Sequence, residues 1–500
     1  MQPQTEPGLV PGVAAGSRSA DALLRGIRMV GAPAALVSAA SAWLLLRGVD
    51  HRFISFSDGA YMYAASEAAT HGFHSLYRTI ALSLPPGVPL GAALVWRVWP
   101  EIESIRVVLA LLSVGTALLT YRAGRTLFAL SSPWAAVASL VALTAPVHAQ
   151  FVGLEGELII TPLALLLALT LEQRRVLGSL LVMAAGFLFK LTWAPFFVAG
   201  VAALVPRLGR RAAVLAALCA LAAAAMVYGL AIRAFGWSAH DLVAQLVLAQ
   251  THSGLQLELA SGLILATVVL WWPFLALAPM GLASATRSTR YVTAAGAVSA
   301  LYMVKQGTFF NVLDPLEPFL SLIATAGARA LWHRRPRWGR ALVVACAAGV
   351  AVHVASVSAA TLTRALPIPL GAAVVNTDNE RAVDRLAHAV DAHSTPRQPV
   401  LVNPLVALVA QRREAAGAAD WFILRALAAH CRSGRVCGEW SAAKRLARRA
   451  RVPVVSVDSN VVSFDPSFRR DVGLGTFRRV IRVDAPPLKT AIYARAVPRR

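Results

Sequence analysis

Ala212-Ala-Val-Leu-Ala-Ala-Leu-Cys-Ala-Leu-Ala-Ala-Ala-Ala-Met-Val-Tyr-Gly-Leu-Ala-Ile232 runs without a charged side chain between Arg210-Arg211 and Arg233. A helix that crosses hydrocarbon needs about 20 mostly apolar residues, because no water is there to bind its backbone. This run has the length, and its mixture of Ala and Leu lacks the alternation of a barrel strand, so it predicts a transmembrane α-helix. Leu263–Pro279 and Ala341–Ser356 read the same way. The chain has 500 residues, 57% of them hydrophobic and 15% charged, with a mean hydropathy of +0.60. A soluble protein carries about 25% charged residues, and here the charge is absent from whole stretches rather than thinned evenly. The fold class is therefore mainly α, a polytopic membrane helix bundle.

The net charge of +23 comes from 48 Lys and Arg against 25 Asp and Glu. No basic stretch is interleaved with stacking aromatics, which argues against a nucleic-acid partner. Arginines instead gather at short breaks between apolar runs, as the positive-inside rule requires of cytoplasmic loops. Arg18, Arg25 and Arg28 place a tail, residues 1–28, inside, ahead of a retained first span at Val30–Leu46. The region 29–364 then forms the transmembrane unit. Its segment 47–104 reads as one long outer loop, with Val88–Trp99 too short to span and lying along the outer surface. Spans at Ile105–Tyr121, Trp134–Phe151, Leu158–Leu171, Val176–Phe189, Leu191–Val205 and Ala212–Ile232 put each arginine-rich break inside, and the last, Ala341–Leu362, exits outward. The count is about eleven transmembrane helices, N-in and C-out, with no internal repeat.

Residues 365–500 change character and read as a small extracytoplasmic α/β domain. Pro399–Asn403 and Val452–Asp458 are expected as strands, Ala418–Cys431 and Ser441–Arg451 as helices, and Arg478–Val483 with Thr490–Arg495 as a terminal strand pair. Cys219 and Cys346 lie in apolar runs, as packing residues. Cys431 and Cys437 are close enough in sequence for a disulfide on an oxidising side.

The chain has no Gly-rich phosphate loop ending in Lys-Ser/Thr, no His-Glu-x-x-His and no Cys-x-x-Cys. Its unexpected charges fall at outer helix ends. Asp58, in Ser57-Asp58-Gly59-Ala60-Tyr61, suits a general base or a divalent metal ligand; it also suits the cap of a helix beginning near Gly59. Glu155 and Glu157 lie on the same side and suit a metal or substrate shared with Asp58, or simple complementation of a helix dipole. Lys190 breaks an apolar stretch just before Thr192, Trp193 and Pro195, which suits a lipid-linked phosphate or a snorkelling side chain. Lys305, ahead of Asn311, makes a second such break, and Arg78 is a weaker phosphate candidate. His71 and His74 read as solvated loop histidines more readily than as ligands.

In order, these stretches resemble the GT-C superfamily of membrane glycosyltransferases, whose members include protein O-mannosyltransferases and lipid A aminoarabinose transferases. Asp58-Gly-Ala-Tyr-Met-Tyr-Ala-Ala resembles the acidic first-loop motif, and Gly72-Phe-His-Ser-Leu-Tyr77 with Leu84-Pro-Pro-Gly-Val-Pro-Leu90 the stretch that follows it. Thr120-Tyr-Arg-Ala-Gly-Arg-Thr-Leu-Phe128 resembles the inner end of the second span. Ala185-Gly-Phe-Leu-Phe-Lys190 resembles the Gly-x-x-x-Lys turn, and Phe310-Asn311 with Pro315 and Pro318 the start of a late span. Many members have two adjacent acids in the first loop, whereas here Ser57 precedes a lone Asp58. The resemblance implies a polyprenyl-phosphate-linked sugar donor, a lipid, glycan or protein acceptor at the outer face of a bacterial inner membrane, and inversion at the anomeric carbon. It implies Asp58 as base or metal ligand with Glu155 or Glu157 as partner, and Lys190 with Lys305 or Arg78 on the donor phosphate. A lipid or polysaccharide flippase is the alternative; it calls for ionisable residues on facing mid-membrane helices. A membrane sensor whose outer domain binds a ligand is a third reading.

Overall fold

The computed structural model describes residues 31, 34–40, 56–145, 148, 157–248, 251, 255, 257–304, 310–334, 337–363, 377–417, 421, 424, 438–449, 451–458, 461–462, 465–485 and 488–495. Two helices occupy the expected outer loop, α1 (Phe56–His71) and α2 (Gly87–Val98). The bundle follows as α3 (Ile102–Leu127), α4 (Ser132–Leu143), α5 (Glu157–Glu172), α6 (Val176–Phe189), α7 (Ala194–Leu208) and α8 (Arg210–Phe235). It continues as α9 (Leu257–Leu282), α10 (Arg287–Ser299), α11 (Glu317–Arg334) and α12 (Trp338–Thr363). Among the described residues, five stretches are long and apolar enough to cross a membrane: Ile102–Leu127, Leu191–Leu208, Arg210–Phe235, Ala260–Leu282 and Trp338–Ala355.

Helix α8 shows why. Ala213, Ala217, Ala220 and Ala224 recur at helical spacing and are the buried positions, so neighbouring backbones approach closely over a strip of small side chains. Leu215, Leu218, Met226 and Leu230 are all more than half exposed. In water that distribution would be inside out; against lipid tails it is the stable one. The helix stops at Gly236, whose φ of 64° takes the left-handed conformation while its amide bonds Ile232 O.

Two local readings change and a third holds. Helix α1 begins at Phe56, so Asp58 lies within its first turn rather than capping a helix that begins at 59. The run expected over Trp134–Phe151 ends as a helix at Leu143, because Pro146 cannot continue the amide ladder. The short Val88–Trp99 stretch is helical as α2, and at 12 residues it spans roughly 18 Å, short of the bilayer core. It buries Val88, Ala92, Ala93 and Trp96 while Val98 is 88% exposed.

The tail contains helices not anticipated, among them α13 (Thr377–His393) and α14 (Pro404–Val409), then α15 (Glu439–Arg448). Strands β1 (Val454–Asp458), β2 (Phe477–Ala485) and β3 (Leu488–Arg495) form an antiparallel sheet in the order β1-β3-β2. The strand expected at 399–403 shrinks to single bridges, Val400 to Glu414 and Leu401 to Val455. Most of 418–431, with Cys431 and Cys437, lies outside the described residues. Ala382, Leu386, Val390, Val400, Leu405, Val454 and Ile492 of the tail share one hydrophobic core with Tyr61, Met62, Leu76, Tyr77, Leu84 and Val88 of the outer loop. Helices α1 and α2 therefore pack on the tail as well as on the bundle.

The alanine strip carries a prediction. Ala220→Leu should destabilise the purified protein by about 1–3 kcal/mol through overpacking. Leu218→Ala, on the exposed face, should leave the thermal midpoint in detergent nearly unchanged.

Candidate active site

Site residues are held where helices break. Lys190 closes α6 in an extended conformation, φ −155° and ψ 136°, and its amide bonds Gly186 O at 3.0 Å. The chain then makes a short 3-10 turn, Leu191–Trp193, before α7. Trp193 is fully buried, donates its indole N–H to Met183 O at 3.0 Å and stacks on Phe196. It lies so close over Gly186 that a Cβ there would sit 2.2 Å from the ring. The Gly186-x-x-x-Lys190 spacing is thus a packing requirement: the glycine admits the tryptophan, and the tryptophan fixes the turn that presents a half-buried Lys190. The start of α2 abuts this turn, since a Cβ on Gly87 would come within 2.5 Å of Leu188 O.

The segment between α1 and α2, which carries Arg78, is braced. Tyr77 is fully buried at φ 59°, a conformation that costs energy in a non-glycine residue unless its surroundings hold it. Here its hydroxyl donates to Leu84 O, and its ring meets Trp237 edge-on at 5.0 Å. Gln245 bonds both sides of the loop, donating to Tyr77 O at 2.9 Å and accepting from Leu82 N–H at 2.8 Å. Arg78 follows directly and is exposed. Neither Gln245 nor the bracing role of Tyr77 is anticipated by the sequence reading. A wholly buried glutamine in a π-helical turn, Ala244–Leu248, has no short-range signature.

Asp58 is placed by its backbone in α1, and Glu157 opens α5; both side chains, Glu155 and Lys305 lie outside the described residues. Their neighbours are informative. Leu158 and Phe189, each adjacent to a candidate, pack in the same core as Tyr61, Leu76, Tyr77 and Val88. That core gathers the elements bearing Asp58, Arg78, Glu157 and Lys190. Met303 and Val312, which flank the Lys305 stretch, pack in a different one. His71 sits 3.8 Å from Glu67 on the same helix. Among the described residues no group of three or more His, Cys, Asp or Glu is placed to hold a metal ion.

A second polar cluster is unanticipated. Asp314 and Glu317 are buried at the start of α11. Asp314 meets His148 Nδ1 at 2.7 Å and accepts from Thr161 Oγ1 at 2.8 Å. Glu317 accepts from the His148 backbone N–H at 2.7 Å and from Trp271 Nε1 at 2.8 Å. All four carboxyl oxygens are engaged, and the knot ties α5, α9 and α11 to the segment after α4. Its signal was present as two acids flanking Pro315 beside an apolar run, a rare placement in a membrane segment.

The tail reaches the site through α1. The Glu414 backbone N–H donates to Tyr63 Oη at 2.8 Å, and Arg413 approaches Glu67 at 3.8 Å. Burial pushes the Glu414 carboxyl well above the usual carboxylate range; the Val402 amide opposes the shift and the Glu67 charge adds to it. Burial likewise raises the Tyr63 phenol, reinforced by Glu67 and Glu414.

No protein-family model matches the chain, and no curated protein matches it. Solved structures do. ArnT from Cupriavidus metallidurans bound to undecaprenyl phosphate aligns over 94% of this chain and 99% of its own, at 14% identity and a TM-score of 0.61. The apo form of that protein aligns over 93% and 98%, again at 14% identity and 0.61. An oligosaccharyltransferase of Archaeoglobus fulgidus in its apo form aligns over 93% and 75%, at 10% identity and 0.49.

Two stability predictions follow from these clusters. A carboxyl whose folded pKa is raised contributes stability that is present below the ordinary carboxylate range and lost as pH rises toward the raised value. Glu414→Gln should therefore raise the thermal midpoint at neutral pH and flatten its fall between acidic and neutral buffers. Asp314→Ala, which strips the partner from a buried His148, should cost about 3–5 kcal/mol by the same measurement, and Asp314→Asn less. What this chain shares with ArnT over nearly its whole length is the fold, a polytopic helix bundle with a small α/β tail.

Proposed function

We propose that this chain is a membrane glycosyltransferase that moves a sugar from a polyprenyl-phosphate donor to an acceptor at the outer face of a bacterial inner membrane. The observation that carries the reading is the near-full-length fold likeness to a protein solved with undecaprenyl phosphate bound. The gathering of the Asp58, Arg78, Glu157 and Lys190 elements around one core supports it.

On this reading the acceptor oxygen or nitrogen attacks the anomeric carbon from the face opposite the phosphate. A bond forms between that carbon and the acceptor atom, the bond to the phosphate oxygen breaks, and the configuration inverts. Asp58 accepts the acceptor's proton, with Glu155 or Glu157 as its partner. The departing lipid phosphate changes from diester to monoester and gains charge, so a fixed Lys190, with Arg78 or Lys305 beside it, stabilises the transition state more than the ground state. Asp58 and Glu155 are also the side chains that would hold a divalent ion of the oxygen-ligand class, which would supply electrostatic stabilisation of the phosphate.

The buried Asp314, Glu317 and His148 on facing elements are what the alternative, a lipid or polysaccharide flippase, would use. The two readings separate in one assay, transfer from radiolabelled polyprenyl-phosphate sugars in membranes containing wild type, Asp58→Ala or Lys190→Ala. The glycosyltransferase reading expects transfer by wild type and a loss of roughly 10²–10⁴-fold in Asp58→Ala, the range for a lost general base, with a large loss in Lys190→Ala at normal expression. Absence of transfer by wild type across several sugars, with label crossing vesicle membranes, would establish the flippase instead.

A further inference from the structure

We infer that helix α14 of the tail is a positioning element for Asp58, acting through a backbone contact at Gly59; the inference rests on the catalytic reading of Asp58 given above. Gly59 is buried, and a Cβ built on it would lie 2.7 Å from Leu405 Cβ and 3.3 Å from both Cα and N of Leu405. Two of those three atoms are main chain, so no change of rotamer relieves the contact. Glycine is demanded at 59 by the crossing of two helices, although alanine is the better helix former.

Leu405 is in turn fixed. It is 1% exposed, and its amide bonds Asn403 Oδ1 at 3.0 Å, the cap of α14. The amide of Asn403 bonds Ser456 Oγ at 2.9 Å, on strand β1. A rigid path therefore runs from the sheet through Asn403 to Leu405 and onto α1 one residue from Asp58. Further along α1 the same contact continues. Tyr63 Oη accepts the Glu414 N–H, and Glu67 faces Arg413. Residues 59, 63 and 67 are spaced by four, so they line one face of α1. The tail grips that face along its length, which fixes the rotation and height of the helix. A base must sit within hydrogen-bond reach of the proton it removes. A displacement of 1 Å in such a group is enough for a 10²-fold loss of rate. Gly59 and Leu405 are accordingly positioning residues, and their effect should fall on turnover rather than on donor binding.

The test is a size exchange in the purified full-length protein, read as kcat and donor KM in the transfer assay. Gly59→Ala should lower kcat by at least about 10-fold with donor KM unchanged. Leu405→Gly removes the nearest atom, so the double variant Gly59→Ala/Leu405→Gly should recover kcat well above Gly59→Ala alone. Wild-type kcat in Gly59→Ala overturns the inference, as does a failure of the double variant to recover when Leu405→Gly alone is active. If Gly59→Ala does not fold, or Leu405→Gly alone is inactive, Tyr63→Phe decides: a lower kcat at unchanged KM supports the inference, and wild-type kinetics overturn it. Asp58→Ala separates the two levels. If it is inactive while Gly59→Ala is normal, only the positioning role falls. If Asp58→Ala transfers normally, or wild type transfers nothing, the catalytic reading falls and takes the positioning role with it.

Discussion

A peptide N–H or C=O in hydrocarbon has no water to turn to, so each must be bonded within its own helix or taken over by a neighbour wherever the helical path is left. The polar residues of this chain are arranged around that constraint. At the break between α6 and α7, Lys190 N–H goes to Gly186 O, the Trp193 indole takes Met183 O and Tyr228 Oη donates to Phe187 O. After α4, the His148 amide is taken by Glu317. In the segment between α1 and α2, Gln245 supplies partners for Tyr77 O and Leu82 N–H. Breaks are where polar side chains must gather, and the same gatherings are the places available for chemistry.

The gatherings differ in how far they are enclosed. Around Asp314 and Glu317 every carboxyl oxygen already accepts from a donor at 2.7–2.8 Å. Carboxyl groups held in this way keep the helices in place. Arg78 by contrast is exposed on a rigid loop, and Lys190 is half-buried at a turn locked by Trp193. Fixed cations that are not fully enclosed suit an incoming anionic group, because they need no reorganisation when it arrives. The knot therefore reads as scaffold, and the α2–α6 junction is where the proposed donor phosphate would be met.

This division explains what was legible in the sequence. Helix α6 has the very ends expected, Val176 and Phe189, because an apolar run between Arg175 and Lys190 leaves nothing else for its backbone to do. Strands β2 and β3 were readable from alternation, the break at Lys190 from the charge it places in an apolar run, and the Gly186-x-x-x-Lys190 turn from the resemblance to a family motif. Helix α13 was missed although Ala382, Val383, Leu386, Ala387 and Val390 recur at helical intervals, since charged residues between them mask the pattern. Gln245, Asp314 and Glu317 were missed for a different reason. Their partners lie 163, 166 and 169 residues away for the bonds to Leu82 and His148, and no local pattern encodes such a pairing. The early end of α4 was signalled by Pro146, yet hydropathy alone carried the reading past it.

The composition of the chain changes near residue 365, where the membrane-type sequence ends, but the packing does not stop there. Leu405, Val406 and Ile492 lie in the same core as Tyr61, Tyr77 and Val88, and Gly417, at φ 69°, approaches Thr79 O so closely that no side chain would fit. Removing the tail would uncover the buried faces of α1 and α2 together and release the loop that bears Arg78. Loss of activity in a truncated chain would then report the collapse of that shared core, and would say nothing about whether the tail recognises an acceptor. Single-atom changes at the contacts between α1 and the tail avoid this confusion, because they alter the fit of α1 while leaving both sides of the core in place.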